Sequence, residues 1–249
     1  MLVLASALIC SCGTNPTTYD YNCENSKALN IARAAGIDSK LEDRELPKNT
    51  VTSITDSAGY GFALLASGSQ MHIPGLSTFQ VSGLNFASWL FSPDPLSARN
   101  TIVAWMPEDA AGENPEKKLI DLLEQAAMKA IQEMGHEALV ENGESSYKGY
   151  YSGIYMISNS GSCQKKGKFS DCWISFGVKP GKKLNKEVTP DFVGAGNGGS
   201  IFFDPTEKYN SFFIFPKENP NINELDFLMK VSKHLPEWIY FYAAPKKVK

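Results

Sequence analysis

Residues 114–135 read Asn-Pro-Glu-Lys-Lys-Leu-Ile-Asp-Leu-Leu-Glu-Gln-Ala-Ala-Met-Lys-Ala-Ile-Gln-Glu-Met-Gly. Apolar side chains recur in this stretch at steps of three and four residues, the spacing that places them on one face of an α-helix. They are Leu119, Leu122, Leu123, Ala126, Ala127, Ala130, Ile131 and Met134. Asn114 is a suitable N-cap, Pro115 occupies the favoured first position, and Gly135 suits the C-terminal cap. The pattern predicts an amphipathic helix over about 115–134 that buries one face.

The segments around this helix are rich in β-branched and aromatic residues and end at turn-forming residues, which is typical of strands. The predicted strands are Thr101–Met106, His136–Glu141, Tyr147–Ile157, Cys172–Val178, Ser200–Asp204, Ser211–Phe215 and Trp238–Tyr242. Helices are predicted over about 223–234 and over Gly83–Phe91, whereas residues 52–66 fit helix and strand equally. This order predicts an α+β fold, an antiparallel or mixed sheet with helices packed on one face.

The composition is that of a globular protein. Hydrophobic residues make up 43% of the 249 residues and charged residues 20%, which excludes a disordered chain. The formal net charge of −3 at pH 7 provides no general attraction to nucleic acid, so no nucleic-acid partner is predicted. Residues 50–249 are expected to form a single domain with a substantial core.

The first thirteen residues join a short apolar run to a cysteine and a polar segment. The run Leu2–Ile9 is too short to span a membrane, which takes about twenty residues, and the layout is typical of an export signal. Ile9-Cys10-Ser11-Cys12 resembles the lipobox of bacterial lipoproteins, with an aliphatic residue three positions before the modified cysteine and a small residue directly before it. Cys12 fits this pattern. Cys10 is the alternative, and it fits less well because Ile9 directly precedes it.

This resemblance implies that residues 1–11 are a cleaved signal peptide and that Cys12 carries lipid, palmitate included. It also implies a partner, the lipid bilayer, in which several acyl chains anchor a protein stably. Gly13 rather than Asp follows the cysteine, which implies the outer membrane of a bacterial envelope. Residues 12–49 are then expected to be a tether with a short helix over 26–35 and an exposed charged linker over 38–48. A plain secretory signal and the absence of any signal are the alternative interpretations.

The cysteines predict one disulfide in the folded region. Only eight residues separate Cys163 from Cys172, which begins a predicted strand, and an exported protein folds in an oxidising compartment. Closing so short a loop contributes roughly 2–3 kcal/mol in the chain-entropy model. Cys23 remains, and it is free, bonded to another molecule, or a substitute for one member of the pair. No metal site is predicted, since no His or second Cys pair accompanies these two.

One motif resembles a nucleotide-binding loop. Residues 194–199, Gly-Ala-Gly-Asn-Gly-Gly, match G-x-G-x-x-G, but a dinucleotide site needs this pattern between a strand and a helix. Here the β-prone segment Ser200–Asp204 follows. We therefore predict a loop between strands, with no nucleotide and no cofactor.

No catalytic residue is predicted. His72, His136 and His234 lack a second ligand or base at useful spacing and are interpreted as structural or surface residues. The neighbouring carboxylates Glu108 and Asp109 are expected to be solvated in a loop. A triad assembled in space remains open, because triads are recognised by geometry rather than by chain order.

Three functional hypotheses follow. The first is a non-catalytic envelope lipoprotein that binds another envelope protein or serves its assembly, with the aromatic residues Trp238, Tyr240 and Tyr242 as the contact surface. The structural interpretation of these residues is a central strand covered on both faces. The second is a tethered periplasmic hydrolase with convergent polar groups in a pocket. The third is an inhibitor or immunity-type protein that uses basic residues of the bridged loop. Those residues are Lys165, Lys166 and Lys168.

Overall fold

The computed structural model describes residues 19–37, 42–43, 60–65, 87–91, 100–145, 149–158, 163–164, 167, 170–205, 210–215 and 224–243. Its helices are α1 (Lys27–Ala34), α2 (Glu108–Ala111), α3 (Pro115–Glu133) and α4 (Glu224–Lys233). Its strands are β1 (Glu42–Asp43), β2 (Tyr60–Leu65), β3 (Ala87–Phe91), β4 (Thr101–Pro107), β5 (Glu137–Ser145), β6 (Gly149–Ile157), β7 (Trp173–Val178), β8 (Lys182–Leu184), β9 (Ser200–Phe203), β10 (Ser211–Phe215) and β11 (Ile239–Ala243). The predicted α+β class is confirmed.

These strands form one sheet, in which the pairings between described strands are antiparallel. The strand order is β1-β3-β2-β11-β4-β10-β7-β6-β5, and β8 joins through β9. β9 and β10 share one side of β4, where Ala104 pairs with Phe203 and Thr101 with Ser211. The buried Asn210 directly precedes β10 and is held by two hydrogen bonds: its Oδ1 accepts from Lys179 N at 2.6 Å, and its Nδ2 donates to the main-chain oxygen of Asp204 at 2.9 Å.

Helix α3 packs on the sheet as its periodicity requires. Asn114 caps it by accepting a hydrogen bond of 2.9 Å from Lys117 N, and Gly135 follows its end with a φ of 76°. Its apolar face and α4 cover the α3-side core, the apolar cluster between the sheet and these helices. This core includes Ile102, Ala104, Met106, Leu119, Leu123, Ala127, Ile154, Ile174, Phe176, Phe227, Val231 and Phe241. Each large apolar side chain buried here stabilises the fold by about 1.5–3 kcal/mol.

Helix α1 packs on the opposite face of the sheet, so helices are not confined to one face. Ser26 caps it by accepting from Leu29 N at 3.0 Å. Its apolar residues and the sheet form the α1-side core. This core includes Ala28, Leu29, Ile31, Ala32, Val103, Trp105, Val193, Phe202, Tyr240 and Tyr242. The sequence predicts this helix as part of the tether over 12–49, whereas the structure places it in contact with the sheet.

The structure corrects two local predictions before β4 and decides one that the sequence leaves open. The helix predicted over Gly83–Phe91 is wrong where the chain is described, since Ala87–Phe91 is strand β3 and pairs with β2 over five residue pairs. Residues 60–65 of the ambiguous segment form β2. Part of the linker, Glu42–Asp43, pairs with β3. Short aromatic segments fit the periodicity of a helix and that of a strand, so pairing with a neighbouring strand determines which of the two forms. Among the helices that the structure describes, none has both the length and the apolar character to cross a bilayer.

Candidate functional site

An open cleft of about 680 Å³ lies where β4 ends and β11 begins. It is lined by residues 107–109, 194–199 and 236–238. The glycine-rich loop forms one wall, and Glu108, Asp109 and Glu237 contribute carboxylates. The cleft therefore brings the glycine-rich loop next to carboxylates that are far from it in the sequence.

The glycines allow the loop to approach these glutamates. Gly194 has a φ of +76°, and a Cβ there would lie 2.6 Å from Glu237 Cγ. A Cβ at Gly199 would meet the Glu108 carboxylate and would lie 2.7 Å from the Leu184 oxygen. A 3₁₀ turn, Asp191–Val193, precedes the loop and β9 follows it, so the strand-to-helix context of a dinucleotide site is missing from this segment.

The charges around the cleft are partly compensated. Lys183 Nζ lies 2.9 Å from Glu108 Oε2. Burial lowers the pKa of Lys27, and the neighbouring charge of Glu237 opposes that effect. Glu108 and Asp109 were expected in a loop, but they begin α2, where a helix favours negative charge. The cleft offers carboxylate oxygens and main-chain groups to a ligand.

The described lining supplies no nucleophile paired with a base. None of the residues that line the cleft is His, Cys, Ser or Thr. Within the part of the chain that the structure describes, no cluster of three or more His, Cys, Asp or Glu side chains is arranged to hold a metal ion. The remaining chemistry of the cleft is that of its carboxylates.

The C-terminal aromatics do not form a contact surface. Trp238, Tyr240 and Tyr242 are only 6%, 1% and 2% exposed. Tyr240 Oη donates to the Val193 oxygen at 3.0 Å, and its ring meets the edge of Trp105 at a centroid distance of 6.0 Å. The prediction of partner contact through these three residues is wrong, because β11 lies between β2 and β4 with a core on each face.

The predicted disulfide is present. Cys163 and Cys172 are bonded and buried, while Cys23 is a free, exposed thiol. The predicted lipidation sites, Cys12 and Cys10, lie outside the described residues.

Of the other residues considered as sites, some lie outside the described residues and some, His234 among them, lie within them. Lys165, Lys166, Lys168 and His72 lie outside the described residues. His234 has a structural contact, because its Nε2 lies 2.6 Å from Glu133 Oε1 and joins the ends of α4 and α3.

Sequence reasoning missed an aromatic surface on β5, β6 and β7. We call it the outer face, and it consists of Leu139, Glu141, Tyr151, Tyr155 and Trp173. Neighbours in these strands such as Ile154 and Ile174 belong to the α3-side core, so the outer face points the other way. Leu139 pairs across β6 with Tyr155, which pairs with Trp173. The alternation of Tyr151, Gly153 and Tyr155 was a signal for such a face.

Hydrogen bonds order the polar groups of the outer face. Tyr155 Oη donates to Glu141 Oε2 at 3.0 Å. Desolvation and this carboxylate both raise the pKa of Tyr155. Tyr151 leans over Gly153, where a Cβ would lie 3.2 Å from the tyrosine oxygen, and burial raises its pKa against the opposing hydrogen bond with Ser175. Even so, Leu139 is 39% exposed and Tyr151 38% exposed.

No protein-family model, curated protein or solved structure matches this chain.

Proposed function

We propose that this protein is a lipid-anchored component of a bacterial cell envelope that binds another envelope protein without catalysing a reaction. The observation that carries the proposal is the lipobox-like sequence Ile9-Cys10-Ser11-Cys12. Acylation of Cys12 would hold the folded domain at the outer membrane, on its periplasmic side.

The disulfide is an independent argument for export. Cys163 and Cys172 are bonded in the α3-side core, and such bonds persist in oxidising compartments and are rare where thiols are kept reduced. A bridged, packed domain behind an export-type signal is consistent with folding in the periplasm.

The outer face supports a binding role. Tyr and Trp are enriched in protein interfaces, and here they lie beside the exposed Leu139 on the regular surface of three paired strands. A rigid sheet presents these side chains at low entropic cost to a partner. This surface replaces the buried Trp238–Tyr242 segment as the proposed contact.

Lipid labelling tests the anchor. Cells that express the full chain are grown with labelled palmitate, and membranes are separated by density. We expect label in the outer-membrane fraction, its loss in Cys12→Ser, and its retention in Cys10→Ser. Persistent labelling of Cys12→Ser together with loss in Cys10→Ser would move the modification to Cys10. Labelling of neither the wild type nor the variants would refute the lipoprotein assignment.

Crosslinking in the native envelope, followed by purification and mass spectrometry, tests the binding role. A reproducible partner is expected for the wild type and is expected to be lost in the double variant Leu139→Ser and Tyr151→Ser. The matched control is Tyr21→Ser, since Tyr21 is 42% exposed but lies away from the outer face. Equal recovery of the partner with all three proteins would contradict contact through the outer face.

A tethered hydrolase is the second candidate, and the carboxylates of the cleft favour it. Two carboxylates that face a substrate are sufficient for general acid–base chemistry. Incubation of the purified protein with peptidoglycan and with chromogenic glycosides tests this candidate. Turnover that disappears in both Glu108→Gln and Glu237→Gln would establish it, whereas no turnover in the wild type would remove it.

A further inference from the structure

The two ends of the sheet differ in length. In the described chain, the strand order ends at β1 on one side and at β5 on the other. β1 has two residues, whereas β5 has nine and pairs with β6 along its whole length, from Glu137 to Ser145, without interruption. Within the described residues no strand pairs with the other side of β5. Among the described strands, a long, regular sheet edge is therefore found at one end of the strand order only.

Strand β5 has only part of the usual protection of an edge, namely the charge of its glutamates. Natural edges are shortened, bulged, or carry Pro or charged side chains, Lys above all, so that other chains do not pair with them. The sequence of β5, Glu-Ala-Leu-Val-Glu-Asn-Gly-Glu-Ser, contains neither Pro nor Lys, and its register with β6 has no bulge. Its main-chain groups form a template about 30 Å long on which a further strand could pair.

The side chains of β5 restrict which strand fits. Glu137, Leu139 and Glu141 alternate with inward-facing residues, so all three lie on the same side of the sheet as Tyr155. Both glutamates are exposed and Leu139 is 39% exposed between them. The edge thus presents an acidic–apolar–acidic row.

This row disfavours a second copy of the same strand. An antiparallel pair of β5 strands centred on Leu139 would place Glu137 opposite Glu141 twice, and one centred on Glu141 would oppose Glu141 with itself. Like charges directly opposite each other destabilise a strand pair, whereas opposite charges stabilise it. A complementary strand of five residues carries basic side chains at its first and fifth positions, opposite the two glutamates. It carries an apolar side chain at its third position, beside Leu139.

We infer that β5 is a docking edge that binds an extended, basic segment of a partner protein by strand addition. The segment has the pattern basic-x-apolar-x-basic, with its charges opposite Glu137 and Glu141 and its apolar side chain beside Leu139. This inference rests on the proposed function and names the kind of partner. Tyr155, which donates to Glu141, holds one of the two carboxylates in place.

A peptide experiment tests the inference. The full-length protein in detergent is titrated with acetylated Thr-Lys-Thr-Leu-Thr-Lys-Thr, and binding is followed by anisotropy and by hydrogen exchange read by mass spectrometry. We expect saturable binding with slower exchange over 137–145. Alternate N–H groups of a strand point to opposite sides, so two peptides are compared, one N-methylated on its odd residues and one on its even residues. The peptide whose methyl groups face β5 should fail to bind, because it cannot complete the ladder. A peptide with Glu in place of Lys should bind at least tenfold more weakly.

Charge reversal provides the matched variants. Glu137→Lys with Glu141→Lys should weaken binding of the basic peptide about tenfold or more and strengthen binding of the acidic one. Glu137→Gln with Glu141→Gln, which perturbs folding less, should give an intermediate loss. The control is Glu113→Lys with Glu187→Lys, which makes the same change in net charge at exposed positions away from the edge. Equal loss in the control, or undiminished binding of both N-methylated peptides, would overturn strand addition at β5.

Failure of this inference can be separated from failure of the proposed function. If the basic peptide does not bind while envelope crosslinking still recovers a partner that depends on Leu139 and Tyr151, docking at the edge is refuted and the proposed function stands. If Cys12 and Cys10 carry no lipid but the peptide protects 137–145, the lipoprotein assignment is refuted and the docking edge stands.

Discussion

The hydroxyl of Tyr240 donates a hydrogen bond of 3.0 Å to the main-chain oxygen of Val193, and both residues are buried. This bond connects β11 to the turn that leads into the glycine-rich loop. It satisfies the polar end of a large ring that the α1-side core encloses. Burial raises the pKa of Tyr240 far above its usual range, so the hydroxyl stays a donor. One side chain therefore links the core to a wall of the cleft.

Removing this hydroxyl should destabilise the fold. Tyr240→Phe leaves the Val193 oxygen without its donor and should lower the free energy of unfolding by about 1–2 kcal/mol. Tyr240→Ala also removes the ring and should cost about 3–5 kcal/mol. Urea denaturation measures both, with the exposed Tyr21→Phe expected within about 0.5 kcal/mol of wild type. A Tyr240→Ala protein of full stability would contradict the assignment of this residue to the core.

The bond between Cys163 and Cys172 should stabilise the domain. It closes a loop with a sequence separation of 9, so the double change Cys163→Ala and Cys172→Ala should lower the free energy of unfolding by about 2–3 kcal/mol. Cys23→Ser removes a free, exposed thiol and is the control, with little expected change. Thermal unfolding with and without reductant provides the measurement. A reductant effect that survives in the double variant would show that another bond is responsible.

Two adjacent glycines of the cleft wall should respond differently to substitution. A Cβ at Gly199 would lie 2.7 Å from the Leu184 oxygen, whereas one at Gly198 would meet nothing within 4 Å. Gly199→Ala should therefore destabilise the protein by about 1–3 kcal/mol, as overpacking does, and Gly198→Ala should be nearly neutral. Denaturation midpoints of the two variants decide this. Equal midpoints would mean that the loop does not approach β8 as closely as described.

The buried amine of Lys27 should make stability depend on pH. Burial lowers its pKa below 10.5 in the folded state, so the charged form is disfavoured there, and its position at the start of α1 disfavours it further. Lys27→Met should stabilise the protein by about 1 kcal/mol at pH 7.

The gain in free energy of unfolding of Lys27→Met over the wild type should change with pH in one direction. The gain is complete below the folded-state pKa of Lys27 and falls as pH rises from there toward 10.5. It is absent above 10.5, where the amine is neutral in both the folded and the unfolded state. Urea denaturation of both proteins at pH 7 and pH 10.5 measures it, with the exposed Lys118→Met as control. A gap that is equal at both pH values would show that the charge of Lys27 is not the cause.

The helix α3 and the disulfide illustrate what could be predicted from local patterns. The helix was predicted over 115–134 and is found at Pro115–Glu133, because its caps and apolar spacing act within a few turns. Cys163 and Cys172 are close in the chain, so their pairing needs only a short loop between strands. By contrast, Ala87–Phe91 is too short for its periodicity to separate strand from helix, and pairing with β2 settles it.

The candidate sites depend on contacts between distant segments. Residues 107–109, 194–199 and 236–238 meet in one cleft because β4, β9 and β11 are neighbours in the sheet, an arrangement that no local pattern encodes. The same holds for the aromatics. Tyr240 and Tyr151 look alike in sequence, but β11 lies between two strands and two cores, whereas β6 has one core and an open outer face.

Some properties are local in the chain: amphipathic spacing, helix caps, cysteine spacing and an export-type N-terminus. The amino-acid order alone was therefore sufficient to predict the α+β class, the helix at 115–134 and the disulfide, and to suggest the lipoprotein hypothesis. Which strands are central, which are edges and which aromatic side chains stay exposed were determined by the tertiary structure. The reason is physical: burial and strand pairing are relations between segments far apart in the chain, and the same residue type becomes core or surface according to what packs over it.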